Sequence, residues 1–422
     1  MTRLRNRAQV VMKMLFITNY YPPEVRGGYE LWCQEVAESL ANRGHEMTIV
    51  TSGADRTHHA QIGGNPRVYQ SLQLEVCGGI SNTVARIRRK KQTDKANGAT
   101  VATIIERARP DVVLHWGMWN VPRSVPALVE TLLPDRTAYY FCDYWPTLPC
   151  AYEQQLRNPA RRPLARFPKR LVARLLLPRL DRGVELQFRH PICVSEAVRR
   201  LLVKGGVRVA HARVIHGGTR LHPAVPQMRR GPSLRLLYLG RIVPDKGLHT
   251  VVGAIRVLAE RAVNVSLDVY GAGDVDYMQG LARTTEEARL SSAIRFRGNI
   301  PAADVPALLT KYDALVFPSE WEEPFARTVL EAMAAGLLVI GTLTGGTGDI
   351  LKHKQTGLTF KAGDAMDLAN QIELAAHDPE LSYQLALAGK SRVSQHFTLE
   401  RMVEQIEDSL RSLCSLNLVN SL

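Results

Sequence analysis

Three loops in the second half of the chain hold the residue types best suited to an anionic ligand. Gly240-Arg-Ile-Val-Pro-Asp-Lys-Gly247 carries one guanidinium and one ammonium. Arginine offers a planar fork to phosphate oxygens and lysine a compact charge, so Arg241 and Lys246 suit a diphosphate; the other reading is a solvated basic loop. Pro318-Ser-Glu-Trp-Glu-Glu-Pro-Phe325 runs into Ala326-Arg-Thr-Val-Leu-Glu-Ala-Met-Ala-Ala-Gly336. Glu323 precedes a proline, which keeps it out of the helical region, and Pro324 suits a first helical position; Glu323 is expected in the loop at a helix N-terminus. Glu331 falls in the second turn among Val329, Leu330, Ala332 and Met333. A carboxylate buried there is costly without a partner, which is either a set of ligand hydroxyls or a nearby Arg or Lys. A third loop, Gly345-Gly-Thr-Gly-Asp349, offers backbone N–H groups near a helix start.

A fourth segment, Tyr270-Gly-Ala-Gly-Asp-Val-Asp276, half-matches a dinucleotide fingerprint. The third glycine's place is taken by Asp276, and the segment follows the second strand of its series rather than the first. It is a weak NAD signature and suits a loop flanking a nucleotide base.

The elements that must position these loops are alternating strands and helices in two series. The second series has strands at Leu234–Leu239, Val265–Tyr270, Ile294–Phe296, Ala314–Phe317 and Leu338–Thr342, with helical segments between, which predicts parallel β-α-β units. Ligands of such sheets bind at the carboxyl edge, where the loops above lie. The first series opens at Val11–Thr18, passes through the Pro/Gly-rich loop Tyr21-Pro-Pro-Glu-Val-Arg-Gly-Gly28, and continues with a helix from Tyr29 to Ala41 and a strand from Glu46 to Thr51. Further strands are expected at Val112–His115, Ala138–Cys142, Pro191–Ser195 and Arg213–His216. The tail predicts helices over Ala365–His377, from Asp378 to about Gln395, and over Leu399–Leu413.

The 422 residues, 45% hydrophobic and 22% charged, are enough for two or three ordinary globular domains and exclude disorder, collagen and coiled coil. Lys and Arg number 54 against 40 Asp and Glu, a formal +14, which predicts an acidic partner: nucleic acid, a membrane surface or a phosphorylated small molecule. The six cysteines are scattered without C-x-x-C spacing, which argues against a disulfide framework or a zinc site and fits a reducing compartment. No run of about 18 apolar residues is present for a membrane span. Residues 1–11 are expected to be a loose basic extension, with Met12 or Met14 as the functional start.

Taken together, Gly240-Arg241, Lys246-Gly247, Tyr270-Gly271-x-Gly273, Phe296-x-Gly298 and the Glu323/Glu331 pair resemble the donor half of retaining glycosyltransferases of family 4 (glycosyl transferases group 1). Tyr21-Pro-Pro-x-x-x-Gly-Gly28 and Arg43-Gly-His45 resemble the start of that family. The resemblance runs from Met12 onward. It implies the GT-B fold: α/β, two Rossmann-like, doubly wound parallel-sheet domains facing each other across a cleft. The domains expected are an acceptor-side domain over 12–217, a linker over 218–233, a nucleotide-sugar donor domain over 234–398, and a C-terminal helix over 399–422 returning to the first domain.

The same resemblance implies roles. Arg241 and Lys246 would hold the diphosphate of a UDP- or GDP-linked sugar, and Glu331 would accept hydrogen bonds from the ribose hydroxyls. Glu323, with the N–H groups of Phe325 and Ala326, would face the sugar. Gly27 and Gly28 would let backbone approach the donor phosphates, and Gly271, Gly273 and Arg297 would border the nucleotide. No cofactor and no metal is expected, since Arg241 and Lys246 do the neutralising. The family often places a His where this chain has Cys142, in Phe141-Cys-Asp-Tyr-Trp-Pro146. Asp143 and His115 are the candidates to take over that residue's work; a structural role for His115 is the competing reading.

The basic surplus concentrates in two stretches. From Arg157 to Arg182 nine cations, Arg157, Arg161, Arg162, Arg166, Lys169, Arg170, Arg174, Arg179 and Arg182, face Asp181 alone, interleaved with Leu164, Phe167, Leu171, Val172, Leu175, Leu176 and Leu177. Arg86-Ile-Arg-Arg-Lys-Lys91 is the second. Basic amphipathic segments suit an anionic membrane surface, and a solvated helix face is the alternative. The expectation is a cytoplasmic glycosyltransferase, peripheral on the cytoplasmic face of the membrane, acting on a saccharide or lipid-linked acceptor in cell-surface polysaccharide synthesis. An NDP-sugar epimerase or a phosphorylase of the same fold competes. A nucleic-acid binder is the reading from another class, weakened because the cations are interleaved with aliphatic rather than aromatic residues.

Overall fold

Near-continuous apolar runs such as Met14–Ile17 become strands buried on both faces, as parallel strands covered by helices must be. The computed structural model describes residues 11–53, 60–62, 64–76, 80–158, 166–177, 180, 184–223, 226, 231 and 233–419. Residues 1–10 of the basic extension, part of the expected linker (224–225, 227–230 and 232), and Arg161, Arg162, Leu164, Arg179, Asp181 and Arg182 lie outside them.

The chain divides into two units. The first comprises the chain as far as Cys193, then Arg199–Ile215 and the C-terminal stretch from Val403; the second comprises Val194–Val198 and His216–Met402. The second unit thus begins at His216 rather than after a linker ending at Ser233, and it takes a short segment, Val194–Val198, out of the first series.

The first unit is built on β1 (Lys13–Ile17), β2 (Glu46–Ser52), β3 (Ala60–Ile62), β4 (Arg67–Leu72), β5 (Val112–His115), β6 (Thr137–Phe141), β7 (His190–Cys193) and β8 (Arg213–Val214). Their order in the sheet is β3-β4-β2-β1-β5-β6-β7-β8, parallel except for the β3–β4 pair. The order reverses between β1 and β5, the switch point at which the loops that follow diverge. The C-terminal helix Leu399–Val419 is tied to this unit through Glu407, which accepts from Arg43 (2.6 Å) and from the buried His45 ring (3.0 Å) as well as from Arg411 on the same helix (2.5 Å), and through Ser409, which accepts from Arg213 at 2.9 Å.

The second unit is a six-stranded parallel sheet of β9 (Leu234–Leu239), β10 (Val265–Tyr270), β11 (Ile294–Gly298), β12 (Ala314–Phe317), β13 (Leu338–Gly341) and β14 (Leu358–Thr359), in the order β11-β10-β9-β12-β13-β14. Its switch point lies between β9 and β12. The helix Arg327–Ala335 ends where Gly336 takes a left-handed conformation (φ +81°). The helix Pro379–His396 begins with Asp378 accepting from the Leu381 N–H at 2.9 Å.

The two basic stretches differ from a simple solvated run. Arg86–Lys91 lies on the helix Ile80–Ala108, where Lys90 turns inward to Glu75 and Asp94 (3.0 and 2.9 Å) while Arg88, Arg89 and Lys91 stay exposed. Arg157 pairs with Glu153 one turn earlier. Among the described residues, no helix is long and apolar enough to cross a membrane.

Candidate active site

The loops that follow β9 and β12 meet at the switch point of the second sheet, and a glycine permits it. Gly247 sits at φ +68°, and a Cβ there would lie 2.0 Å from the Pro318 carbonyl oxygen. The residue before it, Lys246, places its ammonium on Glu323 Oε1, which also accepts a 2.6 Å bond from Ser319 Oγ. Glu323 is only 8% exposed, so these two donors offset the cost of burying its charge. Its carbonyl is held from the third loop: the Gly346 N–H donates to it at 2.7 Å, and a Cβ on Gly345 (φ +54°) would come within 2.1 Å. Thr342 and Thr344 donate to the Ser319 carbonyl at 2.7 and 3.2 Å. Five residues drawn from three loops therefore fix one carboxylate.

Arg241 stands on the same edge with its side chain exposed and no hydrogen bond or ion pair with the described residues; its carbonyl accepts from Tyr238 at 2.7 Å. Glu331 is not left for a ligand alone. Arg327, one turn earlier, donates to its Oε1 at 2.7 Å, which realises the arginine-paired reading of this residue. Phe325 and Ala326 are buried at the start of the same helix, with the Phe325 ring stacked on His216 at 5.3 Å.

Gly271 and Gly273 have a backbone reason to be glycines. A Cβ would stand 1.9 Å from the Gly240 carbonyl at one and 2.0 Å from the Ile242 carbonyl at the other, because the ends of β9 and β10 run side by side. Arg297 is turned to Asp268, 3.3 Å away, which Arg295 and Tyr312 also engage (2.8 and 2.7 Å). Burial raises the Asp268 carboxyl, but these bonds outweigh it and hold it below the usual range.

In the first unit, the loops after β1, β5 and β6 carry the remaining candidates. Gly27 caps the helix Gly28–Asn42 in extended backbone, and its N–H donates to Glu30 Oε2 at 2.8 Å. The nearest atom to a Cβ on Gly27 would be that same oxygen at 3.5 Å, so this unit's own packing does not demand a glycine there. Glu30 is fully buried, and burial lifts its carboxyl to about 7 against the bonds it accepts. Asn19 donates to Tyr29 Oη at 2.9 Å and Trp116 donates to the Tyr29 carbonyl at 2.9 Å; a Cβ on Gly117 would strike the Tyr29 ring at 2.6 Å.

Asp143 follows β6 and accepts from the Trp145 N–H at 2.9 Å; burial lifts its carboxyl to about 6. Cys142 is buried, with its thiol pushed up by desolvation. His115 reads differently from the catalytic expectation. It is 1% exposed, stacked 4.6 Å from Tyr139, and burial lowers its pKa to about 3, so it is a neutral core ring, which accords with the structural reading of this residue.

Residue pattern alone missed Ser319, Thr342, Thr344 and Ser195, whose hydroxyl donates to the Pro324 carbonyl at 2.7 Å. Only Ser319 had a signal, standing four residues before Glu323. Among the described residues no group of three or more His, Cys, Asp or Glu is placed to hold a metal ion.

A parallel sheet with Arg, Lys and Glu gathered at its switch point, joined in one chain to a second such sheet, defines the class of GT-B glycosyltransferases. The comparisons agree. Residues 26–222 match the model of Glycosyltransferase Family 4 and residues 227–392 that of Glycosyl transferases group 1. The chain belongs to the family 4, group 1 glycosyltransferases. It is 26% identical over 410 residues to a Mycobacterium tuberculosis glycogen synthase, covering 92% of this chain and 91% of that protein. It is 24% identical over 419 residues to the GDP-mannose-dependent alpha-(1-6)-phosphatidylinositol monomannoside mannosyltransferase of the same organism, covering 94% and 98%. Its fold matches that of Anabaena HepE in complex with UDP and glucose at a TM-score of 0.67 and 21% identity, over 95% of this chain and all of that one (100%).

Proposed function

We propose that the chain moves a hexosyl group from a UDP- or GDP-linked sugar to a hydroxyl of a saccharide or lipid-linked glycan, with retention of anomeric configuration, in the synthesis of cell-surface polysaccharide. The observation that carries this is the set Arg241, Lys246 and Glu323 at one sheet switch point, with a guanidinium left exposed beside a lysine that is already oriented. Arg241 grips diphosphate oxygens, and Lys246, which has three donors, serves both Glu323 and a phosphate. Their charges offset what develops on the departing nucleoside diphosphate, so the residues present accomplish what a metal would otherwise supply. Glu323 uses its second oxygen for a sugar hydroxyl, and Glu331, braced by Arg327, accepts from ribose hydroxyls. In the first unit the room above Gly27 suits close approach of a phosphate to a helix start.

A pocket within the first unit, lined by Met118, Trp119, Trp145, Leu148, Pro149 and Gln154, supports a saccharide acceptor. Trp119 is 40% exposed and offers a ring face to a sugar, and Gln154 lines the same pocket. Asp143, whose raised carboxyl changes charge near neutrality, is the residue proposed to handle the acceptor proton. The named relatives are a glycogen synthase and a phosphatidylinositol monomannoside mannosyltransferase, which fits either kind of acceptor.

Product mass spectrometry on a panel of nucleotide sugars, offered with oligosaccharides and with a lipid extract, tests the proposal. A glycosylated product with the donor's anomeric configuration is expected. Absence of transfer from every donor, with thermal stabilisation by oligonucleotide but by neither UDP nor GDP, would overturn it.

A further inference from the structure

The helix Arg166–Leu176 turns large apolar side chains away from its own core. Phe167 is 79% exposed, Leu171 55% and Leu175 61%. Their four-residue spacing lines them into one stripe. The other face is the buried one: Ala173 and Leu176 pack with Ile87, Tyr152 and Leu156. Arg170 and Arg174, both exposed, fall along one flank of the stripe, and the helix sequence contains no Asp or Glu. The helix Ile80–Ala108 shares that small core through Ile87 and brings Arg88, Arg89 and Lys91 into solvent.

An aliphatic and phenylalanine stripe edged by unopposed cations fits a surface that is apolar beneath and anionic above. We propose that this helix lies in the headgroup layer of an anionic bilayer, with Phe167, Leu171 and Leu175 entering the acyl boundary and Arg170, Arg174, Arg88 and Arg89 meeting lipid phosphates. Its 11 residues rise about 16 Å, roughly half the hydrocarbon thickness, so it lies in the plane of the interface and does not span it. Single-stranded nucleic acid is fitted less well, since bases need aromatic faces to stack on and the stripe has one. The proposal does not depend on which sugar or acceptor the enzyme uses.

Co-sedimentation of the full chain with vesicles tests it, using phosphatidylcholine alone and phosphatidylcholine mixed with phosphatidylglycerol, at low and high salt. The wild type is expected to pellet with the mixed vesicles and not with the neutral ones, and to be partly released by salt. The triple variant Phe167→Ser, Leu171→Ser, Leu175→Ser should bind about tenfold more weakly or worse, and Arg170→Glu with Arg174→Glu should abolish the preference for anionic lipid. UDP- or GDP-induced thermal stabilisation checks that each variant is folded. A wild type that stays in the supernatant with anionic vesicles at low salt overturns the proposal. So does undiminished binding of the triple serine variant, or a concentration-dependent dimer that the serine substitutions abolish without any vesicle binding.

Discussion

The ammonium of Lys246 is ion-paired with the carboxylate of Glu323 across a gap of 77 residues in sequence, and Ser319 donates to the same oxygen. The pair and the serine hydroxyl together fix the orientation of both side chains at the switch point, where the proposed donor would meet them. Breaking it exposes both its structural and its chemical share. Lys246→Ala leaves a mostly buried carboxylate unpaired and is expected to lower stability by about 3 kcal/mol and to remove most transfer. Lys246→Met combined with Glu323→Gln should recover the stability in urea unfolding without recovering turnover. Near-normal turnover in the double variant would rule the pair out of the chemistry.

Glycine substitutions separate backbone need from ligand need. Gly247→Ala meets both a left-handed backbone and the Pro318 carbonyl, so a loss of at least about 2 kcal/mol is expected. Gly298→Ala, at φ +75° with no neighbour within 4 Å, should lose only about 1 kcal/mol. Gly27→Ala has room for its methyl group and should change stability by no more than about 0.5 kcal/mol while weakening donor use. An unchanged KM and kcat in Gly27→Ala would remove the proposed phosphate approach.

Glu331 is braced by Arg327 through a partly buried pair one turn apart, and such i,i+4 pairs contribute about 0.5 kcal/mol. Glu331→Gln should therefore leave the melting temperature nearly intact and yet reduce the stabilisation given by UDP or GDP. If nucleotide stabilisation persists in full, the residue is only a helix partner for Arg327.

Glu30 gives a pH signature. Its folded-state carboxyl is raised from 4.5 to about 7, so the folded chain holds a proton that the unfolded chain releases. Stability contributed at low pH is then lost as pH rises from about 4.5 to 7. Glu30→Gln should abolish that part of the decline, so that the variant gains on the wild type toward pH 7. Parallel stability curves for the two proteins across this window would contradict the assignment.

Glu407 acts with the opposite sign. Burial raises its carboxyl, but bonds from Arg43, Arg411 and His45 outweigh this and hold it below the ordinary range. Its contribution is present above the unfolded value and disappears as pH falls through the folded one. Glu407→Ala should cost about 2–3 kcal/mol at neutral pH, and the difference from wild type should shrink in acid.

Much of the second sheet is legible without coordinates. The strands Leu234–Leu239, Val265–Tyr270 and Ala314–Phe317 fall where the apolar runs predict, because strands buried on both faces are mostly apolar, with only Arg235, Ser266 and Asp268 as polar interruptions, and are bounded by glycine or proline loops. The short strands Ala60–Ile62, Arg67–Leu72 and Leu358–Thr359 were not legible, being too brief or too polar to show a period. The helix Ile80–Ala108 was hidden by the basic run within it, since an apolar stripe interrupted by cations such as Lys90 reads as surface until the inward ion pairs are seen.

The sequence by itself determined which chemical groups stand at the strand ends: Arg241 and Lys246 after one strand, Glu323 and Glu331 after another, and Gly27 and Gly28 at a helix start. Residue types and local dihedral preferences settle that much. The tertiary structure decided which of them touch. Placing β9 beside β12 joins Lys246 to Glu323 and makes Gly247 obligatory, while Arg327 completes Glu331 and Tyr139 encloses His115. Contacts of that kind depend on sheet order and on the burial of each charge, and neither is written in the spacing of residues along the chain.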